Sequence, residues 1–282
     1  SNSQGRFSKT LYTGCMFVAS IKDVHCNFSS ICTELFNTPG FNMSVTLGPY
    51  PYKDIAVQSL PFVYFVLTLR KSMLSRNSAT PDKSSVNGSK SNSFNNGQNA
   101  VSYPDTDISN QLKTVARLIS GGLESKVYMV KLSGFDTHFG QNQAENDILG
   151  DHNDLLTKLS SAVAAFMNDL SAMNLKNDVV GLTYSEFGRK AAENGSLGTD
   201  HGETAPMFVF GAPVKGGVSG LNPDLNEANE NNGYQIQTVQ FDYRDTLGTL
   251  LQDYLGADNL ALDATFFNNT LNQSFSETKI EF

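Results

Sequence analysis

The sequence predicts an α/β fold, a mostly parallel sheet flanked by helices. Continuous apolar runs bounded by turn residues recur at 127–132 (VYMVKL), 178–184 (DVVGLTY) and 207–210 (MFVF); such runs read as strands buried on both faces. Segments with apolar residues at helical spacing alternate with them. The strand–helix–strand order over 127–184 implies a right-handed parallel crossover.

Taken in order, the elements are justified as follows. Residues 1–74 give no clean period and are expected to be the N-terminal part of the same domain. Within them, 46–52 (TLGPYPY) reads as a turn and the apolar run 60–69 (LPFVYFVLTL) as a core strand or helix. Residues 75–103 are expected to be a mobile loop: 75–100 hold seven Ser and six Asn with almost no apolar content, too little to offset the entropy of ordering. The α/β core is expected over 104–282. There, Asp107 or Ser109 can cap a helix reaching Ser120, with Ile108, Leu112, Val115, Leu118 and Ile119 on one face. Gly121-Gly122 stops it. A long helix is expected over 146–173, carried by Leu155, Leu159, Val163, Phe166, Leu170 and Met173. A third parallel strand at 207–210 exits through Gly211-Ala212-Pro213. The segment 222–233 is an acidic, Asn-rich loop. A last helix, Tyr243–Leu255, is closed by Gly256.

Composition excludes several classes of function. The chain has 282 residues and a net charge of −8. Residues 104–282 carry eleven Lys/Arg against twenty-four Asp/Glu, and the small positive excess before them is scattered. A nucleic-acid surface needs clustered Lys/Arg, so no nucleic acid is expected as a partner. No 18-residue apolar stretch exists, so no membrane span is expected. Cys15, Cys26 and Cys32 lack metal-ligand spacing and read as ordinary thiols, the alternative being one disulfide with one thiol left over.

Three polar motifs lie beside the apolar runs: Gly134-Phe135-Asp136-Thr137-His138, Ser185-Glu186-Phe187-Gly188-Arg189 and Gly198-Thr199-Asp200-His201-Gly202. Ligands of open α/β sheets bind beyond the carboxyl ends of the strands. Two of the motifs are predicted to sit there, and the third lies in a loop able to fold back over them. Asp136 and His138, two residues apart in an extended segment, point the same way and suit one divalent metal. The alternative is a loop-capping Asp136 with a locally bonded His138. Asp200-His201 adds further ligands, its flanking glycines allowing close approach to a ligand; alone it is a polar turn. Glu186 could ligate or act as a base, and Arg189 could hold a phosphate or sulfate; together they could instead form an ion pair bracing the loop. Phe187 reads as packing. His25 and His152 lack such context, and His152, on a polar helix start, reads as solvated. Tyr243-Arg244-Asp245 reads as a helix-start ion pair.

In order and spacing, GFDTH, SEFGR and GTDHG resemble the DUF1501 family, bacterial proteins of unassigned activity that are usually exported. The resemblance covers roughly residues 104–256. That family looks like a branch of the alkaline phosphatase-like superfamily, which includes sulfatases and phosphomutases. The resemblance implies metal ligation by Asp136, His138 and His201, with zinc first and manganese or calcium next. It implies a periplasmic or secreted location; on a hydrolase reading Glu186 and Asp200, the candidate catalytic groups, would serve as ligand or base, and Arg189 would clamp a small anionic ester. Where the superfamily has an Asp-His pair for a second metal, this chain has Glu186-Phe187, and Phe187 cannot ligate. No Ser or Thr in residues 1–74 stands in a recognisable nucleophile context, so the chain is expected to lack the family's N-terminal portion or to carry a diverged one. The functional expectation is a metal-binding hydrolase-like domain; the alternative is a non-catalytic exported scaffold that keeps the fold.

Overall fold

The computed structural model describes residues 43–49, 62–69, 92–146, 149–238, 240–265 and 280–281. Cys15, His25, Cys26, Cys32 and the segment 75–91 lie outside the described residues. Among the described residues a six-stranded sheet forms from β1 (Met43–Pro49), β2 (Phe62–Leu69), β3 (Val127–Ser133), β4 (Val179–Ser185), β7 (Thr204–Phe210) and β8 (Gly217–Ser219). A separate two-stranded ribbon pairs β5 (Gly188–Glu193) with β6 (Thr199–Gly202). Among the described residues the helices include α1 (Asp107–Ser120), α2 (Asp151–Ala172), α3 (Tyr243–Leu255) and α4 (Asn259–Thr265).

The sheet corrects the expected fold class. Its order is β3-β2-β4-β7-β1-β8. Four of the five pairings are antiparallel, and only β1 with β8 is parallel. Among the described residues there is no large parallel sheet. The expected β3–β4 neighbours do run the same way, but β2 lies between them, antiparallel to both. The third expected strand, β7, is antiparallel to β4. The inference failed because burial on both faces, not strand direction, makes a run continuously apolar. β4 is such a strand: Val179 packs with α1 and α2 on one face, while Val180 and Leu182 pack with Leu250 and Tyr254 of α3 on the other.

Register nevertheless brings two of the motifs to one edge. Val63 of β2 pairs with Leu132 on one side and Ser185 on the other. β3 therefore ends beside β4, and the motifs that follow them leave the sheet at the same place.

The helices follow from their sequence. α1 starts where Thr106, rather than Asp107 or Ser109, caps it through a hydrogen bond to its side chain from Ser109 N. Its apolar face packs on α2, whose Phe166 and Leu170 are fully buried. α2 begins at Asp151, not near 146, because 140–143 are committed elsewhere: Gly140 N and Asn142 N donate to Ser196 and Leu197 carbonyls. α3 has a capping box in which Asp242 and Asp245 each accept the other's backbone N–H. Arg244 pairs with Asp242 at 2.7 Å, so the expected ion pair reaches one residue outside the Tyr243-Arg244-Asp245 triplet. Gly181 of β4 has no room for a side chain, since a Cβ there would lie 2.0 Å from the buried Phe210 ring.

Two further expectations change. Residues 46–49 belong to β1 rather than to a turn. The end of the Ser/Asn-rich segment is tied down, because the fully buried Asp169 of α2 accepts from Asn99 Nδ2 (2.8 Å), Ala100 N (2.6 Å) and the Tyr103 hydroxyl (2.8 Å). A composition argument cannot see a carboxylate seventy residues away waiting for three donors.

Candidate metal centre

The site is assembled by the β5–β6 ribbon leaning on the loop after β3. Residues 194–198 turn the ribbon, closed by Asn194 N on the Gly198 carbonyl and with Gly195 and Leu197 at positive φ. Arg189 and His201 are directly opposed across it, so their side chains share a face. That face meets Asp136. The loop 136–142 is stitched to the ribbon by Thr199 N on the Thr137 carbonyl and by Gly140 N and Asn142 N on the Ser196 and Leu197 carbonyls. Gly198 allows this approach: a Cβ there would sit 2.3 Å from the His138 carbonyl. The close approach made by this glycine is therefore to protein backbone, where sequence reading expected a ligand.

Asp136 Oδ1 is the hub. His201 Nε2 lies 2.8 Å from it, Arg189 Nη2 2.9 Å and His138 Nε2 3.0 Å. His138 turns its other nitrogen, Nδ1, to Asp200 Oδ1 at 3.2 Å. Asp200 is also held by Asn194 Nδ2 (3.3 Å) and by Lys190 Nζ (3.6 Å). The His138 and His201 rings are tilted at 4.7 Å, and Phe187 stacks on His201 at 3.7 Å, 16° from parallel. Phe187 thus packs, as expected, but onto a candidate ligand.

Electrostatics favour a charged hub. Burial raises the Asp136 pKa, yet the His201 hydrogen bond and the charge of Arg189 outweigh it and hold the carboxyl below the ordinary range. The Asn194 hydrogen bond is the largest cause of the same lowering at Asp200. Arg189 is held below its ordinary value by burial, against the pull of Asp136.

The donor set fits a divalent cation. One atom each from Asp136, His138 and His201 lies within 4.8 Å of the others. Tetrahedral zinc, with bonds of about 2.0–2.1 Å, holds its ligand atoms roughly 3.3 Å apart, so the 2.8–3.0 Å contacts to Asp136 need to open by only a few tenths of an ångström. Three protein ligands with a fourth position open is the arrangement of catalytic zinc.

The remaining sequence-predicted residues are distributed differently. Arg189 gives three of its five N–H groups to protein: Nη1 to the Thr199 carbonyl (2.8 Å), and Nη2 to the Phe135 carbonyl and Asp136. It braces the loop through Asp136, not through Glu186. Glu186 lies half-buried at the turn between β4 and β5 and is outside the three-residue convergence. Asp200 faces the far nitrogen of His138.

Sequence reasoning missed the buried clamp beneath the site. Gln141 Oε1 accepts from the Thr137 hydroxyl (2.9 Å) and the Thr199 hydroxyl (2.8 Å), and all three residues are buried. A signal existed for Thr137: in an extended D-x-H segment the middle residue points away from its neighbours, here into the interior. Nothing marked Gln141.

His152 also departs from expectation. Its ring is half-buried, edge-on to Phe135 at 6.1 Å. Burial, then the charge of Arg189, lowers its pKa from 6.5 to about 4. The unfolded chain therefore binds more protons between these values, and stability is full above about pH 6.5 and falls as pH drops toward 4. A loss on the order of 2 kcal/mol is expected across that window. His152→Phe, which keeps the packing and cannot titrate, is expected to flatten this part of a urea-unfolding pH profile; an unchanged slope would refute the assignment.

The family model described as a protein of unknown function (DUF1501) matches residues 79–258. No curated protein and no solved structure matches the chain. The matched span takes in all three motifs, the ribbon and the clamp that joins them, and at well over half of the chain it establishes that this protein belongs to the DUF1501 family.

Proposed function

We propose that this chain binds one divalent cation, zinc by preference, on Asp136, His138 and His201, and uses it on small phosphate or sulfate esters. The observation that carries the reading is the convergence of those three donors on one point. Access supports it: the side chains of His138 and His201 are 44% and 39% exposed, open enough for a small anion. When bound, such a cation supplies Lewis acidity toward an ester oxygen and lowers the pKa of nearby water. Arg189 then keeps Asp136 ionised and in place, and Glu186, at the turn between β4 and β5, is the base this reading assigns. Ester chemistry and a periplasmic or secreted setting come from the motif resemblance alone; the antiparallel sheet lends them nothing.

A second reading, a non-catalytic scaffold, is favoured by one observation. Asp136 Oδ1 already meets three protein groups without any ligand, so the motifs could serve as bracing.

Elemental mass spectrometry of the purified, unchelated protein separates the two. About one zinc, manganese or calcium per chain, lost in His138→Ala and His201→Ala, is the expected result, and it justifies a phosphatase and sulfatase screen. No metal, with no thermal stabilisation on adding any, would leave the scaffold reading.

A further inference from the structure

We propose that Asp200 is the positioning residue of this metal site: by accepting the Nδ1 proton of His138 it keeps the Nε2 lone pair aimed at the point shared with Asp136 and His201. The inference rests on the metal-site reading above.

The geometry separates the two nitrogens of one ring. Nδ1 is 3.2 Å from Asp200 Oδ1 and Nε2 is 3.0 Å from Asp136 Oδ1. A neutral imidazole carries one N–H, so the nitrogen that donates leaves the other as the ligand. A carboxylate on the far nitrogen is the usual device that fixes the tautomer and ring orientation of a metal-binding histidine. Asp200 contributes no atom to the convergent set.

Asp200 is itself placed with care. Asn194 Nδ2 donates both to Asp200 Oδ1 (3.3 Å) and to the His138 carbonyl (2.8 Å). One amide therefore fixes the carboxylate relative to the backbone of the histidine it orients. Lys190 Nζ approaches the second oxygen at 3.6 Å. His201 is oriented differently, by the face of Phe187. The two imidazoles are thus set by unlike devices, one electrostatic and one apolar.

Cobalt(II), titrated into the metal-stripped protein, reports both properties needed. Its visible bands follow the ligand set, and competition with a chromophoric chelator gives the affinity. Asp200→Ala is expected to weaken cobalt and zinc about 10–100-fold with band positions unchanged. Asp200→Asn, whose amide oxygen still accepts from Nδ1, is expected to recover most of that loss. Should Asp200→Ala fail to fold by circular dichroism, Asn194→Ala loosens the same carboxylate and is expected to weaken binding about tenfold with the same bands. Altered bands in Asp200→Asn would make Asp200 a ligand and overturn the proposal. So would an unchanged affinity in folded Asp200→Ala, or in Asn194→Ala where that variant stands in. If the wild type binds no cobalt, or His138→Ala binds it as tightly, the metal site itself fails and the positioning role falls with it.

Discussion

Asp136→Ala is expected to abolish metal retention and to lower folding stability by about 3 kcal/mol. Both effects come from one oxygen. As a candidate ligand, Asp136 supplies the only carboxylate of the convergent set. As the partner of Arg189, it neutralises a guanidinium that is only 19% exposed. Removing one member of a buried pair costs roughly 3–5 kcal/mol; the low end applies here because the Thr199 and Phe135 carbonyls still accept from Arg189. Asp136→Asn separates the roles. Its amide oxygen still accepts from the guanidinium, so most of the stability is expected to return while the metal stays lost. Elemental analysis and urea unfolding of both variants check this, and metal retained at wild-type stoichiometry in Asp136→Ala would remove Asp136 from the ligand set.

The other large effect lies far from the site. Asp169→Ala is expected to cost about 3 kcal/mol, since it strands three donors around a fully buried position and each unsatisfied buried group costs roughly 1–3 kcal/mol. Burial, with the hydrogen bond to Asp169, pushes the Tyr103 hydroxyl pKa upward, so this group stays a donor across the accessible range. Asp169→Asn is expected to help little, because its amide NH₂ would face donors. Loss of the anchor also frees the preceding segment, and limited proteolysis is expected to cut near residues 92–103 in the variant and spare them in the wild type. Equal protection and equal stability would show that the segment is held elsewhere.

How much of this was legible in the sequence depended on what kind of force wrote it. Elements held by their own periodicity were readable: α1 and α3 stop at the glycines that follow them, and β3 and β4 fall within one or two residues of their apolar runs. Strand direction was not, because the apolar run of β4 reports cover on both faces and nothing about its neighbours. The start of α2 was misjudged because Gly140 and Asn142 are bonded to a segment some fifty residues later. At the site, Asp136, His138 and His201 could be grouped by chemistry, since only certain side chains bind cations. The division of labour among Asp200, Arg189 and Phe187 could not, since each role is set by which atom of a neighbour it meets.

The position of β2 between β3 and β4 has a consequence for what counts as a unit here. Both β1 and β2 lie before residue 79, where the family match begins. Yet β2 is the strand that joins β3 to β4, and β1 the one that joins β7 to β8. Remove the unmatched part and what remains of the six-stranded sheet is β3 alone, β4 paired with β7, and β8 alone. The recognisable family segment is therefore a set of staves without two of the hoops. Met43 pairs with Phe210, so the sheet closes only after most of the chain has been made, and contacts of such long sequence separation form slowly. Heredity marks one boundary in this protein, and cooperativity another.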